Sequence, residues 1–163
     1  MFFIRSAMPQ DVSEIRELLA TTWRETYTGF YGATIVEEII AKWHAPAAII
    51  KNIAKPNGEY LVADDGTQLG GVAFASLTDK VISLHQLYVQ PHLQRQGIGQ
   101  MLFAEIESCF MDADILDLEV EPRNAGAIAF YHAHGFQSGG IITNRGTADS
   151  GISALKMTKV LKI

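Results

Sequence analysis

The spacing of apolar residues divides the chain into a helical first third and a strand-rich remainder. In the first third, apolar positions recur every three or four residues, as on one face of a helix. Asp11 stands where it can cap the first of these helices, whose buried face is formed by Val12, Ile15, Leu18 and Leu19. A second helical pattern ends before Pro46 and carries Ile35, Ile39, Ile40 and Trp43. A first strand is predicted at residues 2–5 and a short third helix over residues 47–54.

From Gly58 onwards the period changes to the alternation typical of strands. Residues 60–63 and 70–75 flank the turn signal Asp64-Asp65-Gly66 and predict a hairpin. The remaining pattern predicts strands over Val81–Val89, Ile115–Val120, 136–143 and 152–160, with helices over 97–111 and 124–134. Gly139-Gly140 and Asn144-Arg145-Gly146 are interpreted as turn or bulge material. We therefore expect one mixed α+β domain over residues 1–163.

Composition places the chain among globular proteins and narrows its partners. The chain has 163 residues, enough for one hydrophobic core, and no apolar run approaches the roughly 20 residues that cross a bilayer. A net charge of −5 argues against nucleic acid as a partner. Because the N-terminus lacks a signal-peptide pattern, we expect a cytoplasmic protein with no membrane partner. The single cysteine, Cys109, is expected in the core of the helix over residues 97–111.

The histidines do not predict a metal site. His132 and His134 are two positions apart on a predicted helix and therefore point in different directions, and no cysteine or third ligand is suitably spaced. These two histidines, together with His44 and His92, are expected at the surface.

The turn between the strand ending at Val89 and the next helix has the chemistry of an anion site. Its sequence is Gln94-Arg95-Gln96-Gly97-Ile98-Gly99. Backbone N–H groups at a helix N-terminus favour an anion, glycine lets the backbone approach a phosphate, and Arg95 adds a positive charge. A Walker loop is excluded because Gly-Lys-Ser/Thr is absent, and a dinucleotide fingerprint because Leu102 stands where the third glycine belongs. Taken alone, the turn can also be a tight strand-to-helix connection.

Two segments resemble the signatures of the GNAT N-acetyltransferase superfamily. Leu87-Tyr88-Val89-Gln90-Pro91 followed by Gln94-x-x-Gly97-x-Gly99 is similar to its acetyl-coenzyme A motif. Its second motif resembles Asn124-x-x-Ala127-x-x-Phe130-Tyr131-x-x-x-Gly135-Phe136. The resemblance implies the GNAT fold, an α+β arrangement with a mixed, mostly antiparallel sheet of six to seven strands, helices on both faces, and a splay in the sheet at the cofactor site.

The resemblance also implies a site for acetyl-coenzyme A, without a metal. Backbone groups of Leu87 and Val89 would pair with the pantetheine arm as an added strand does, and the N–H groups of residues 94–100 would hold the pyrophosphate. Asn124 would contact the arm farther along. The residues implied to bind the cofactor are Leu87, Tyr88, Val89, Gln94, Arg95, Gln96, Gly97, Ile98, Gly99, Gln100, Asn124, Ala127, Phe130 and Tyr131.

Three side chains are candidates for proton transfer. Tyr131 stands at the position of the family's general acid, two helical turns after Asn124, and a phenol is suited to protonating a thiolate. For the base, Glu119 corresponds to that of family members that acetylate ribosomal-protein N-termini, and His85 resembles in position a base of arylalkylamine acetyltransferases. Four other interpretations stay open: a core tyrosine for Tyr131, a solvated strand residue for Glu119, a core histidine for His85, and ordered water as the base.

The reaction implied by the resemblance is direct transfer of acetyl from acetyl-coenzyme A to a primary amine in a ternary complex. The acceptor would be a small amine, a polyamine, an amino acid or a peptide N-terminus. Tyr27 and Tyr31 are candidates for contact with it, although these aromatic residues could equally belong to the core, which is the favoured interpretation for Trp23 and Trp43. The alternative from another class is a non-catalytic acyl-coenzyme A-binding or sensing module. A homodimer paired through the C-terminal strands is also left open.

Overall fold

The computed structural model of the chain describes residues 1–143 and 152–162, and this part contains seven strands and five α-helices. The strands are β1 (Phe3–Ser6), β2 (Gly58–Asp64), β3 (Leu69–Thr78), β4 (Val81–Val89), β5 (Ile115–Val120), β6 (Gln137–Ile142) and β7 (Ala154–Val160). The helices are α1 (Val12–Tyr31), α2 (Ala33–Trp43), α3 (Pro46–Ile53), α4 (Ile98–Cys109) and α5 (Ala125–Ala133). The predicted order of elements is confirmed, with β4 and β5 bounded as predicted.

The strands form one mixed sheet in the order β1-β2-β3-β4-β5-β7-β6. Neighbouring strands run antiparallel at β1–β2, β2–β3, β5–β7 and β6–β7, whereas β4 and β5 are parallel. The expected mixed, mostly antiparallel α+β sheet is therefore confirmed, as is the hairpin around Asp64-Asp65-Gly66. No helix in the described part of the chain is long and apolar enough to span a bilayer.

Backbone contacts divide the chain into two compact units. Unit 1 comprises Met1–Ser76 and Gln86–Met111, and unit 2 comprises Leu77–His85 and Asp112–Ile163. The expectation that residues 1–163 form a single domain stays a prediction. Each unit is described below by itself.

The core of unit 1 is built from the apolar face of α1 packed on β2 and β3. All four residues that the sequence placed on this face are buried, and the cluster also contains Ile49, Tyr60, Val62, Leu69, Val72 and Phe74. Burial at these positions follows from the helical period of α1 and the alternation of the strands, so the sequence pattern identified this core.

Two expectations for the helices of unit 1 are corrected. Asp11 occupies the N-cap position of α1 but makes no side-chain cap bond. Its carboxylate instead accepts two hydrogen bonds of 2.9 Å from the Arg5 guanidinium and one of 2.7 Å from the Met8 N–H. A charge-assisted bidentate pair is stronger than a neutral cap bond, so the carboxylate turns towards β1. On α2, Val36 rather than Ile35 lies in the core, and Ile35 is exposed.

Burial also corrects the expectations for two other residues of unit 1. His44, expected at the surface, is buried with 3% of its surface exposed. Its ring lies edge-on to Trp23, with 5.6 Å between the ring centroids. Cys109, expected in the core, is only half-buried at the C-terminal end of α4.

Unit 2 contains the edge of the sheet. β6 pairs only with β7 among the described strands, and all six of its residues are exposed. Its register against β7 shifts between Ser138 and Ile141, so the predicted bulge at Gly139-Gly140 is confirmed. Asn144-Arg145-Gly146 lies outside the described residues.

Candidate functional site

Along the second half of β4, the backbone groups of alternate residues point away from β3. The N–H of Gln90 donates to the carbonyl of Gly70 on β3 at 2.9 Å. Backbone N–H and C=O directions alternate along a strand, so the groups of Leu87 and Val89 face the opposite side. Between these two residues, the Tyr88 side chain packs against the core of unit 1. Leu87 and Val89 are thus oriented for pairing with an extended partner that is not β3.

Close packing at Gly71 fixes the position of β4. A Cβ atom at Gly71 would lie 2.9 Å from the carbonyl oxygen of Tyr88 and 2.9 Å from the Leu102 Cδ1 atom of α4. Any side chain at this position would therefore push β4 or α4 away from β3. The glycine keeps all three elements together directly below the turn that connects β4 to α4.

The turn after β4 adopts two left-handed backbone positions. Arg95 has φ of 65° and Gly97 has φ of 85°. The Gln94 side-chain amide donates to the Val89 carbonyl at 3.3 Å and so ties the turn back to the strand. Residues 94–97 are exposed, and open space surrounds the position that a Cβ of Gly97 would occupy.

The first turn of α4 leaves its N–H groups available to an anion. Gly97 is the N-cap residue and provides no side-chain cap, and the first intrahelical bond runs from the Met101 N–H to the Gly97 carbonyl at 3.0 Å. The N–H groups of Ile98, Gly99 and Gln100 therefore have no partner within the helix. Together with the Arg95 charge and the open space at Gly97, this arrangement fits the pyrophosphate of a coenzyme A molecule.

In unit 2, the parallel ladder between β4 and β5 ends early. Its pairs run from Val81 opposite Ile115 to Leu84 opposite Leu118, although β5 continues to Val120 and β4 to Val89. The splay at the cofactor site that the sequence resemblance implies stays a prediction.

The two candidate bases stand at the end of this ladder. His85 and Glu119 each follow the last paired residue of their strand, and both are exposed. Because the preceding Leu84 and Leu118 are both buried, alternation places His85 and Glu119 together on the opposite face. The structure thus brings together two residues that the sequence offered as alternatives.

The helix α5 carries the remaining candidates. The Asn124 side chain caps it by accepting from the Ala127 N–H at 3.2 Å. Tyr131, two turns later, is buried beside Phe130 and Phe136, with ring centroids 5.4 and 5.3 Å away. Ala127 and Phe130 are half-buried on the same helix. Their roles, like those of Asn124 and Tyr131, stay predictions.

Glu121 is a structural residue of this region that the sequence analysis missed. It is buried and accepts a 2.7 Å hydrogen bond from the Arg123 guanidinium, and its carbonyl accepts from the Asn124 N–H at 2.9 Å. Glu121 and Arg123 therefore shape the turn that starts α5. Strand alternation predicts an exposed residue after the buried Val120, so it could not identify the buried Glu121. The available signal was a carboxylate two residues before Arg123 and close to the helix cap Asn124.

The predicted acceptor residues belong to an aromatic cluster on α1 and α2. Trp23 and Tyr27 have ring centroids 4.1 Å apart, and those of Tyr27 and Tyr31 are 6.3 Å apart. Tyr27 is buried, as is Trp23, whereas Tyr31 and Trp43 are half-buried. The core interpretation is confirmed for Trp23 and corrected for Trp43, which is only half-buried, and the acceptor roles of Tyr27 and Tyr31 stay predictions.

Residues 1–143 and 152–162 contain no group of three or more His, Cys, Asp or Glu side chains that could hold a metal ion.

Comparison with known proteins identifies the family. A family model described as the acetyltransferase (GNAT) family matches residues 13–136, three quarters of the chain. The chain belongs to the GNAT acetyltransferase family. The resemblance found in the sequence is therefore confirmed, and acetyl-coenzyme A is the acetyl donor of this family.

Two curated GNAT relatives match part of the chain. N-alpha-acetyltransferase RimI of Mycobacterium tuberculosis is 33% identical over 100 residues, which are 59% of this chain and 63% of that protein. The ribosomal protein bS18-alanine N-acetyltransferase of Escherichia coli K12 is 33% identical over 99 residues, 58% of this chain and 67% of that protein. The match thus spans a little under two thirds of the mycobacterial relative.

Solved structures confirm the GNAT fold. The PaiA N-acetyltransferase of Thermoplasma acidophilum, in complex with coenzyme A, superposes with a TM-score of 0.86 at 22% identity and covers 98% of this chain and 99% of its own. The ribosomal-protein-S18-alanine N-acetyltransferase of Escherichia coli gives a TM-score of 0.76 at 20% identity, with coverage of 100% and 96%. The α+β fold class is confirmed by these two neighbours.

Proposed function

We propose that this chain is an N-acetyltransferase that moves acetyl from acetyl-coenzyme A directly to the α-amine of a peptide N-terminus in a ternary complex. The observation that carries the proposal is the end of the β4–β5 ladder, where the exposed carboxylate of Glu119 and the exposed imidazole of His85 follow the last pair on the same face. The names of the two curated relatives, both N-terminal or alanine N-acetyltransferases, support a peptide acceptor over a small amine. We also propose that the protein acts in the cytoplasm.

The donor would be held by backbone groups of unit 1. The N–H groups of residues 98–100 and the Arg95 guanidinium would bind the pyrophosphate, and Leu87 and Val89 would pair with the amide groups of the pantetheine arm. The Val89 N–H would also polarise the carbonyl at the reaction centre, a kind of contribution worth about 3 kcal/mol in other acyl-transfer sites. When bound, the donor supplies an activated acyl thioester.

Proton transfers would be made by side chains of unit 2. Glu119 would take the proton of the amine, directly or through a water, and Tyr131 would protonate the departing thiolate. An α-amine has an ordinary pKa of about 8, against about 10 for an alkylamine, so part of it is already neutral at physiological pH. A carboxylate that acts through water is therefore an adequate base for this acceptor. His85 is the second candidate for the same proton.

The acceptor class is tested with a panel of amines measured by release of coenzyme A and by product mass. The panel contains a peptide with a free N-terminal alanine, the same peptide with its N-terminus blocked, polyamines, arylalkylamines and free amino acids. We expect acetylation of the free peptide and none of the blocked one. Faster acetylation of a polyamine or arylalkylamine would overturn the peptide assignment. Hydrolysis of acetyl-coenzyme A that no amine stimulates would instead support a binding or sensing module.

The base is tested with the variants Glu119→Gln and His85→Gln. Loss of a general base costs about 10²–10⁴ in turnover, so one variant should fall by at least about a hundredfold while coenzyme A affinity changes little. We expect this result for Glu119→Gln. A large loss only in His85→Gln would transfer the role to the histidine, and small losses in both variants would leave water as the base.

A further inference from the structure

A serine and a histidine outside this proposed site form a hydrogen-bonded pair at the end of α5. The Ser138 hydroxyl lies 3.2 Å from the His132 Nε2 atom. The other ring nitrogen, Nδ1, lies 3.1 Å from the backbone carbonyl oxygen of Phe136. Both side chains are exposed, so a small reagent can reach them.

The Phe136 carbonyl determines the direction of the second hydrogen bond. A carbonyl oxygen only accepts, so Nδ1 must carry the proton in this contact. In the neutral imidazole Nε2 is then the acceptor, and the Ser138 hydroxyl donates to it. The carbonyl orients the ring in the way that a carboxylate does in a serine-histidine-aspartate triad. This is the geometry of a hydroxyl nucleophile beside its base.

Ser138 also lies on β6, the last strand of the sheet in the described part of the chain, and all six residues of this strand are exposed. β6 is the last strand in the sheet order, so alternate N–H groups along it point away from β7. Directly after Ser138 the register shifts, and Gly139 and Gly140 stand outside the regular ladder. Backbone N–H groups next to a nucleophile are the donors that stabilise a developing oxyanion in acyl transfer.

We propose that Ser138 is an acyl-accepting nucleophile, with His132 as its base, whose substrates are small activated acyl esters and thioesters. The Ser138 Oγ atom attacks the acyl carbon while His132 Nε2 takes the hydroxyl proton. A new O–C bond forms and the bond to the leaving alkoxide or thiolate breaks. The imidazolium then returns the proton to the leaving group. The products are an O-acyl serine on the chain and a free alcohol or thiol.

The test treats the full chain with 4-nitrophenyl acetate in one arm and acetyl-coenzyme A in the other. Intact mass measures acetyl addition, and peptide mapping locates it. Lysine amides also form with such reagents, so each sample is divided and half is treated with neutral hydroxylamine, which cleaves esters and leaves amides intact. The acetyl-coenzyme A arm rests on the proposed function because it assumes that the thioester is bound, whereas the 4-nitrophenyl acetate arm is independent of it.

Three variants make the test specific. Ser138→Ala removes the nucleophile. His132→Asn keeps an N–H donor for the Phe136 carbonyl but removes the base. Ser108→Ala is the matched control, because the exposed Ser108 hydroxyl donates to the Glu105 carbonyl at 3.0 Å and has no imidazole beside it.

We expect a hydroxylamine-sensitive acetyl group on Ser138 in the wild-type chain and in Ser108→Ala. Its rate of formation should fall by at least about tenfold in His132→Asn, because a positioned general base contributes that much or more. We also expect no ester to form in Ser138→Ala. Absence of the ester on Ser138 in the 4-nitrophenyl acetate arm, or equal labelling of His132→Asn and wild type, would overturn the proposal. Neither result would affect acetylation of the peptide panel, so this failure is distinguishable from failure of the proposed function.

Discussion

At the residue scale, Tyr131 is placed by its aromatic neighbours. Its ring is held edge-on between Phe130 and Phe136, both within 5.4 Å between centroids. Packing of this kind restricts the side chain to one orientation, which is what positioning an acid requires. Tyr131, which we propose protonates the leaving thiolate, is therefore held in one position, and its hydroxyl can be removed with little change in shape.

Replacement of Tyr131 by Phe tests that role. We expect turnover to fall by about 10²-fold or more while coenzyme A affinity stays within about twofold, because the hydroxyl is needed only when the thiolate leaves. Steady-state kinetics and calorimetric titration with coenzyme A measure the two quantities. Tyr60→Phe on β2 is the control: it also removes a phenol hydroxyl, one that donates to the Gln86 side chain at 2.8 Å, and it should keep its turnover. Unchanged turnover in Tyr131→Phe would remove the residue from the mechanism.

Gly97 offers a second test at this scale. Its φ of 85° is a left-handed conformation that costs a residue with a Cβ roughly 1–2 kcal/mol, although open space surrounds the Cβ position. Gly97→Ala should lower the free energy of unfolding by about 1 kcal/mol. If the turn changes shape to relieve the strain, coenzyme A affinity should fall about fivefold, the equivalent of the same energy.

The control for Gly97 is Gly29, which lies inside α1 with open space around its Cβ position and without a left-handed φ. Gly29→Ala should raise stability by about 0.5–1 kcal/mol, because glycine is the poorer helix former. Urea denaturation measures both variants. A Gly97→Ala protein with wild-type stability and wild-type affinity would contradict the role given to this turn.

At the scale of elements, variants of Asn124 can distinguish its structural role in capping α5 from its predicted role in binding coenzyme A. Its side-chain oxygen caps α5, which leaves its NH₂ group for the predicted contact with the pantetheine arm. Asn124→Ala should lose about 1 kcal/mol of stability together with coenzyme A affinity. Asn124→Asp keeps the cap oxygen but has no NH₂ group, so it should keep most of the stability and still lose affinity. If Asn124→Asp binds coenzyme A as tightly as wild type, Asn124 only caps the helix.

The elements also indicate what the sequence could predict. β4 and β5 were predicted to the residue, because their apolar alternation is bounded by Pro91 and by polar turns. The extension of α1 to Tyr31 was not predicted. Its last two turns contain Gly29 and several aromatic residues, which are weak helix formers, and packing of Trp23 against Tyr27 compensates for the low propensity.

The features missed at the site are those that depend on tertiary contacts. The burial of His44 and of Glu121 has no signal in local periodicity. The motif residues from Gln94 to Gly99 and from Asn124 to Phe136 were found because glycines and caps are required locally, by the backbone itself. That His85 and Glu119 share a face at the end of the ladder could be found only from the register of β4 and β5.

At the scale of the whole molecule, the buried His44 links stability to pH. Burial lowers the pKa of His44 from 6.5 to about 4. Its Nδ1 atom has no hydrogen-bond partner among the described residues, so the ring gains nothing locally from becoming charged. Between these two pH values the unfolded chain binds a proton that the folded chain does not. Stability is therefore complete above pH 6.5 and declines as the pH falls towards 4.

Comparison of pH profiles tests this linkage. The free energy of unfolding should drop by about 3 kcal/mol from this group between pH 6.5 and 4. The pKa of Asp11 is lowered by the Arg5 guanidinium and that of Asp65 by backbone hydrogen bonds, so these two carboxylates reduce stability mainly below this pH range. The difference between wild type and His44→Leu isolates the histidine, since the leucine does not titrate. Exposed His92→Gln should follow the wild-type curve, and parallel curves for wild type and His44→Leu would contradict the assignment.

The outward-facing backbone of Leu87 and Val89 has a consequence for the lifetime of the protein. Under the proposed function this backbone pairs with coenzyme A, and part of the folding free energy then depends on that metabolite. With coenzyme A at one hundred times its Kd, the gain is about 2.7 kcal/mol, which lowers the unfolded population about a hundredfold. We expect proteolysis through global unfolding to slow accordingly when coenzyme A is added. In a starved cell, a falling supply of the thioester would then shorten the survival of the chain as well as its rate of turnover.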